Sequence, residues 1–360
     1  SPQSRSSSSS SSSNRWLESF RSNKNHAFLS LSDLVARAWL VPLAVDQYGS
    51  RFIQRKLEVA SEEHKDAAFL HIAPHTKRLS TDVFGNYVLQ KFFAHGSSEQ
   101  RQQLADKLKG EILPLSLHMY GCRVVQKMLD VAGPEVQTAV VGELRGQVVV
   151  CVKDQNGNHV IQKCIEKVPA RLLAFIVQSF SGKVFELATH PYGCRVVQRL
   201  LEHCQPTQAR AVLEEVLDRV EDLCRDKYGN YVVQHVIVNS TSMHRNEVIS
   251  AMRGKVLVLA KHKFASNVLE KCFAHGSQAD RSALISETLG KSSDSATTPL
   301  LAMVKDQYAN YVVQKMLDVA SQEQLSTVVS RIKKHIPSLR KISYGKHILS
   351  RLEKLTGKKL

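Results

Sequence analysis

Eight pairs of side chains with small or hydrogen-bonding ends recur along this 360-residue chain, the members of each pair four positions apart. They are Ser50 and Gln54, Asn86 and Gln90, Cys122 and Gln126, Asn158 and Gln162, Cys194 and Gln198, Asn230 and Gln234, Ser266 and Glu270, and Asn310 and Gln314. On a helix, residues i and i+4 lie one above the other, so the two members of a pair would point outward together. A Gln amide carries a donor and an acceptor side by side, which suits the mixed edges of uracil and adenine. Ionised Glu only accepts, which suits the adjacent N1 and N2 donors of guanine. The pattern therefore predicts recognition of base edges, with G at the Ser266 and Glu270 pair and U or A at the other seven. The first member divides those seven again, because Asn can add a hydrogen bond to a base while Ser or Cys offers little beyond a small contact surface.

Directly after each first member stand Arg51, Tyr87, Arg123, His159, Arg195, Tyr231, Asn267 and Tyr311. All but Asn267 carry a flat aromatic, imidazole or guanidinium group, as stacking platforms for bases would. Directly after each second member come Arg55, Lys91, Lys127, Lys163, Arg199, His235, Lys271 and Lys315. That row is expected to keep positive charge near a phosphate track. A single Gln on a helix reads best as solvated surface; eight held in one phase argue for a shared ligand.

What must position these residues follows from their period. First members lie 36 residues apart as far as Ser266, and 44 separate Ser266 from Asn310. A period of that size marks a stacked array in which each unit buries its apolar face against its neighbours. Apolar residues fall at helix spacing in AVLEEVLDRV (211–220) and around each Gln, so the unit is helical. Gly110, Gly146, Gly182 and Gly254 each follow a helical run and read as C-terminal caps. With two or three short helices per unit, the expected fold is all-α: a right-handed solenoid of eight repeats, curved into a crescent, with partial capping repeats at both ends.

Local features refine this picture. The extra residues before the last repeat fall in KSSDSATTP (291–299), a surface loop by composition. Residues 6–13 are all Ser, so 1–15 read as a disordered tail and 16–360 as the repeat domain. Asp46, Asp154, Asp226 and Asp306 recur in phase, as helix-starting residues do. The aromatics Tyr48, Phe84, Tyr120, Tyr192, Tyr228, Phe264 and Tyr308 are assigned to the core between units. Gly before the first member in repeats one to six, replaced by Ala265 and Ala309 in the last two, suggests close packing of neighbouring units. Pro42 suggests a broken helix in repeat one, and Asn156 stands where other repeats carry Tyr or Phe.

Composition points the same way. The formal charge is +16 and the pI about 9.6, an excess that favours polyanionic partners. No stretch approaches the apolar length of a membrane span, and neither insertion nor secretion is expected. The chain opens on Ser rather than Met, as a piece of something longer would. Seven cysteines without a C-x-x-C pair argue against a disulfide framework or zinc site, and for reduced thiols in the cytosol or nucleus. Neither H-E-x-x-H nor G-x-S-x-G occurs, and catalytic residues should break a period rather than follow it, so no enzyme and no cofactor are expected.

With these triplets, the sequence from about residue 20 to the end resembles the Pumilio-type (PUF) RNA-binding repeat family. The resemblance implies one base per repeat, with Asn and Gln reading U, Ser or Cys with Gln reading A, and Ser with Glu reading G. It also implies an antiparallel RNA, giving 5′-UGUAUAUA-3′ from the Asn310 pair back to the Ser50 pair. Further implications are binding to 3′ untranslated regions of messenger RNA, control of translation or decay, a cytoplasmic location, a monomer, and protein effectors such as deadenylation machinery on the convex face. A different class of reading is an armadillo-like solenoid gripping a protein tail with its Asn and Gln rows.

Overall fold

The computed structural model describes residues 16–18, 20–22, 28–290, 298–357 and 359–360. The Ser-rich tail and residues 291–297 of the insertion lie outside the described residues. Among those described there are helices and no strands. Contacts divide the chain into two compact units, Ser1–Ile176 and Val177–Leu360.

Each repeat opens with a helix of about one turn, continues with the helix that carries the paired residues, and closes with a third helical segment. In repeat three these are Ile112–Leu117, Gly121–Val131 and Pro134–Glu143. The third segment is weakest in repeat four, where a 3₁₀ turn Ala170–Leu172 precedes the short helix Ala174–Gln178. Capping elements flank the array: Leu31–Ala36 at the start and Ser343–Thr356 at the end.

The second helices form the spine of the core. In Gly121–Val131 the buried residues are Gly121, Cys122, Val124, Val125, Met128 and Leu129. Exposed Arg123 and Asp130, with half-buried Gln126 and Lys127 between them, fall at i, i+3, i+4 and i+7 and make the opposite stripe. Burial of each such Val, Leu or Met contributes about 1.5 to 3 kcal/mol, and the second helices of adjacent repeats pack on one another within each unit.

Every second helix is started by a side chain four residues ahead of the first member. Asp154 accepts from the backbone N–H of Asn156 and Gly157, both at 2.8 Å. Asp46, Asp226 and Asp306 do the same, as their phase predicts, and so does Asp82. In repeats three, five and seven the acceptor is instead an imidazole Nδ1: His118, His190 and His262. The same three repeats carry a second device. The carboxylate of Glu143 accepts from Gly110 N and Ile112 N at 2.9 and 3.1 Å, tying the last helix of the repeat to the start of its first. Glu215 and Glu287 repeat that clamp on Gly182 with Val184 and on Gly254 with Val256. Gly110, Gly182 and Gly254 all have positive φ, as their reading as caps requires.

Three local expectations are corrected. A Cβ on Gly193 would stand 2.4 Å from the carbonyl oxygen of Leu187, so the tight approach is to the first helix of the same repeat, not to a neighbouring one. Pro42 does not break its helix: Leu40–Ala44 is intact, and Pro42 sits in the first turn, where an N–H has no intrahelical partner anyway. The aromatics assigned to the core are not buried; Tyr48 is 55% and Tyr192 37% exposed, and the rest are intermediate. They precede the second helix beside its capping residue, as His118 and Tyr120 do with ring centroids 5.7 Å apart. Asn156, at the same place in repeat four, bridges repeats instead, donating to the Leu117 carbonyl at 2.9 Å.

Candidate nucleic-acid interface

The second members and the residues between pair members share one exposed stripe on each second helix. Arg51, Arg123, His159, Arg195 and Asn267 are exposed, as are Tyr87, Tyr231 and Tyr311 at 47 to 57%. Gln54, Gln90, Gln126, Gln162, Gln198, Gln234, Glu270 and Gln314 are half-buried. Within each unit, flat groups of neighbouring repeats come close in one case. Arg195 lies over the Tyr231 ring at 5.3 Å, and in the first unit the Arg123 charge acts on His159. Partial burial and then that charge hold the His159 imidazole below its usual range, leaving a neutral ring at pH 7.

The first members lie at the edge of that stripe and are covered. Ser50, Asn86, Cys122, Asn158, Cys194, Asn230, Ser266 and Asn310 all have relative exposures of 1 to 4%, so they do not project outward beside the Gln row as i, i+4 spacing suggested. They do touch it. Asn86 Nδ2 donates to the carbonyls of Asp82 and Val83, which forces its Oδ1 towards Gln90, whose Nε2 donates to it at 2.9 Å. Asn158, Asn230 and Asn310 repeat this arrangement with Gln162, Gln234 and Gln314 at 2.8 to 3.1 Å. Where the first member is Cys, the Gln donates to its backbone instead: Gln126 to the Cys122 carbonyl at 3.0 Å and Gln198 to that of Cys194 at 2.9 Å. In these six repeats one amide proton is therefore fixed, and each Gln keeps a second N–H and its Oε1 for a ligand.

In repeats one and seven the first member is Ser. Ser50 and Ser266 turn their hydroxyls back onto the carbonyls of Gln47 and Lys263, as the thiols of Cys122 and Cys194 do onto those of Met119 and Pro191. Glu270 is the sole carboxylate in the row. Partial burial raises its pKa above the ordinary carboxyl range, opposed by the charges of Lys315 and Lys271. Two cations, one of them from the next repeat, thus favour its ionised form, which offers only acceptors.

The basic row is partly neutralised. Lys91 pairs with Glu58 of the preceding repeat, Lys163 with Asp130 and Glu166 at 3.0 and 3.3 Å, and Arg199 with Glu202 at 2.7 Å. Burial lowers the pKa of His235, which therefore brings no full charge at pH 7. The expectation that this whole row faces phosphate is narrowed to its other members. Among the described residues no group of acidic, His and Cys side chains could hold a metal ion, and no helix is long and apolar enough to cross a membrane.

The residues that sequence reasoning missed are those that set the spine: the caps Asp82, His118, His190 and His262, and the clamps Glu143, Glu215 and Glu287. The signal of the caps is in the sequence, since each stands four residues before a first member; the clamps join residues more than thirty apart and have no such local mark.

Comparison with known proteins adds the following. A model of the Pumilio-family RNA binding repeat matches residues 40–73, 75–109, 111–145, 147–179, 183–217, 219–252, 255–289 and 300–333. Pumilio homolog 1 of Xenopus laevis is 56% identical over 62 residues, covering 17% of this chain and 5% of that protein. The maternal protein pumilio of Drosophila melanogaster is 56% identical over 55 residues, 15% of this chain and 4% of that one. The chain thus aligns with only a small part of the length of these relatives. Among solved structures, PUF-8 in complex with PBE-RNA superposes with a TM-score of 0.87 at 38% identity, covering 94% of this chain and 99% of that one. The Puf3 RNA binding domain bound to a Cox17 RNA 3′ UTR recognition sequence gives 0.84 at 38% identity, covering 94% and 100%.

Proposed function

The chain belongs to the Pumilio family of RNA-binding repeat proteins, and from that premise we propose that it binds single-stranded RNA with one base per repeat, reading 5′-UGUAUAUA-3′ from repeat eight to repeat one. Each base would stack between exposed flat groups such as Arg195 and Tyr231 while its edge meets the pair of its repeat. In this reading the sixteen pair residues are the base-edge site and Arg51, Tyr87, Arg123, His159, Arg195, Tyr231, Asn267 and Tyr311 the stacking site. The observation that carries it is the row of half-exposed amide ends, with its single carboxylate at Glu270 flanked by Lys271 and Lys315. Because the Asn and Cys repeats hold their Gln through different partners, the two classes present the same amide from different supports. That difference is available to separate U from A.

The biological role that follows is post-transcriptional control of messenger RNA through 3′ untranslated sites, by a monomeric cytoplasmic protein that recruits effector proteins. The test is a titration of UGUAUAUA against the same RNA with its UGU replaced, at one salt concentration. A loss of at least tenfold on replacing UGU is expected. Equal affinities would end the base-reading proposal, since phosphate contacts are blind to sequence.

A further inference from the structure

The third helices of repeats five and six, Pro206–Asp218 and Ser242–Met252, leave an open trough of about 740 Å³ between them. Leu213, Leu217 and Ala209 of the first helix and Met243 of the second make its apolar lining, and Met243 is 67% exposed. Leu213 and Leu217, at i and i+4, present one continuous strip. Glu214, Asp218 and Glu247 stand exposed along the rim. The one guanidinium there, Arg210, is bound to Glu214 at 2.8 Å. His244 adds charge only when protonated. On a chain whose formal charge is +16 this is a locally acidic edge. None of its residues belongs to the base-reading pairs or the stacking row, and its carboxylates repel phosphate.

Placement of the acids is informative. Asp218 ends its helix, whose last turn has no basic residue, and Glu214 stands one turn before it. A carboxylate there opposes the helix dipole, a standing cost that a cation docked alongside would offset. An exposed Met beside a leucine strip is the adaptable lining by which grooves take helical segments. We propose that this trough docks a segment of a partner protein: an amphipathic helix that lays two apolar side chains along Leu213, Leu217 and Met243 and turns Lys or Arg toward Glu214, Asp218 and Glu247.

The test uses a fluorescein-labelled 16-residue peptide of Leu and Lys in helical amphipathic order, titrated into the full chain, with a Leu and Glu peptide as counterpart. Saturable binding of the Lys peptide alone is expected. The rim variant Asp218→Lys with Glu247→Lys should weaken it at least tenfold, and the floor variant Leu217→Glu with Met243→Glu should abolish it. Saturating UGUAUAUA should leave the peptide bound. Unchanged thermal unfolding shows that both variants fold, whether or not the chain binds that RNA, so this proposal and the base-reading one fail separately. No binding of the Lys peptide, equal binding of both peptides, binding indifferent to either variant, or displacement by RNA would each overturn the assignment.

Discussion

At the scale of single residues, the account rests on what each pair leaves free. Spacing of four correctly places both members of a pair in contact, as Gln90 and Asn86 are. It does not say which side of the helix a neighbouring repeat will cover, and so the burial of all eight first members was not legible. The exposure of the residues proposed to stack was legible, because the position one further round the helix is exposed in every repeat. Glu270 yields a prediction of its own. Its carboxyl is raised by partial burial, so it takes up a proton at a higher pH than an ordinary Glu, and a protonated carboxyl no longer offers two acceptors to guanine. Affinity for RNA with G at the second place should therefore fall as pH drops below neutral, while RNA with U there should not follow. Fluorescence anisotropy with both RNAs from pH 7.5 to 5 measures this.

At the scale of elements, the helices and their period were legible from apolar spacing, but the alternation between them was not. Repeats three, five and seven start their second helices with His and clamp their first with Glu, whereas the other repeats use Asp caps; the chain thus carries a two-repeat rhythm within its one-repeat period. The clamp depends on a Glu more than thirty residues from the amides it meets, a pairing that no local pattern reveals. Glu215→Ala would strand the N–H groups of Gly182 and Val184 and should cost about 1 to 2 kcal/mol in urea unfolding. Gly193→Ala should cost about 1 to 3 kcal/mol, because the carbonyl of Leu187 at 2.4 Å from the new methyl is backbone and cannot step aside. Ala265 fills that position in repeat seven and is fully buried, so Ala265→Gly should not recover stability. The misplaced aromatics belong to this scale too: Tyr48 beside an Asp cap and Tyr192 beside a His cap are both exposed, while Tyr228 and Tyr120 beside the same two cap types are half-buried.

For the whole molecule, the basic excess predicted a polyanion partner but could not say which charges are available. Lys91 is held by Glu58, while Lys127 at the same register has no carboxylate partner among the described residues. Affinity should fall with salt by about 0.7 log units per log unit for each phosphate neutralised. Lys127→Ala should lower that slope by about one such step and Lys91→Ala should barely change it, a contrast that binding curves from 50 to 400 mM salt resolve. The seven thiols are all buried, and burial pushes Cys164 and Cys224 up to about 12, which accords with a core that uses cysteine as a small apolar residue.

The most direct test of the central claim varies one base against one side chain. Affinities of the native chain and of Glu270→Gln are measured for RNAs carrying each of the four bases at the second place of UGUAUAUA. Base reading by repeat predicts that the native chain prefers G by about 1 to 3 kcal/mol, that Glu270→Gln loses this preference, and that neither protein changes its choice at the other seven places. An identical preference in both proteins, or a loss spread over all eight places, would contradict it.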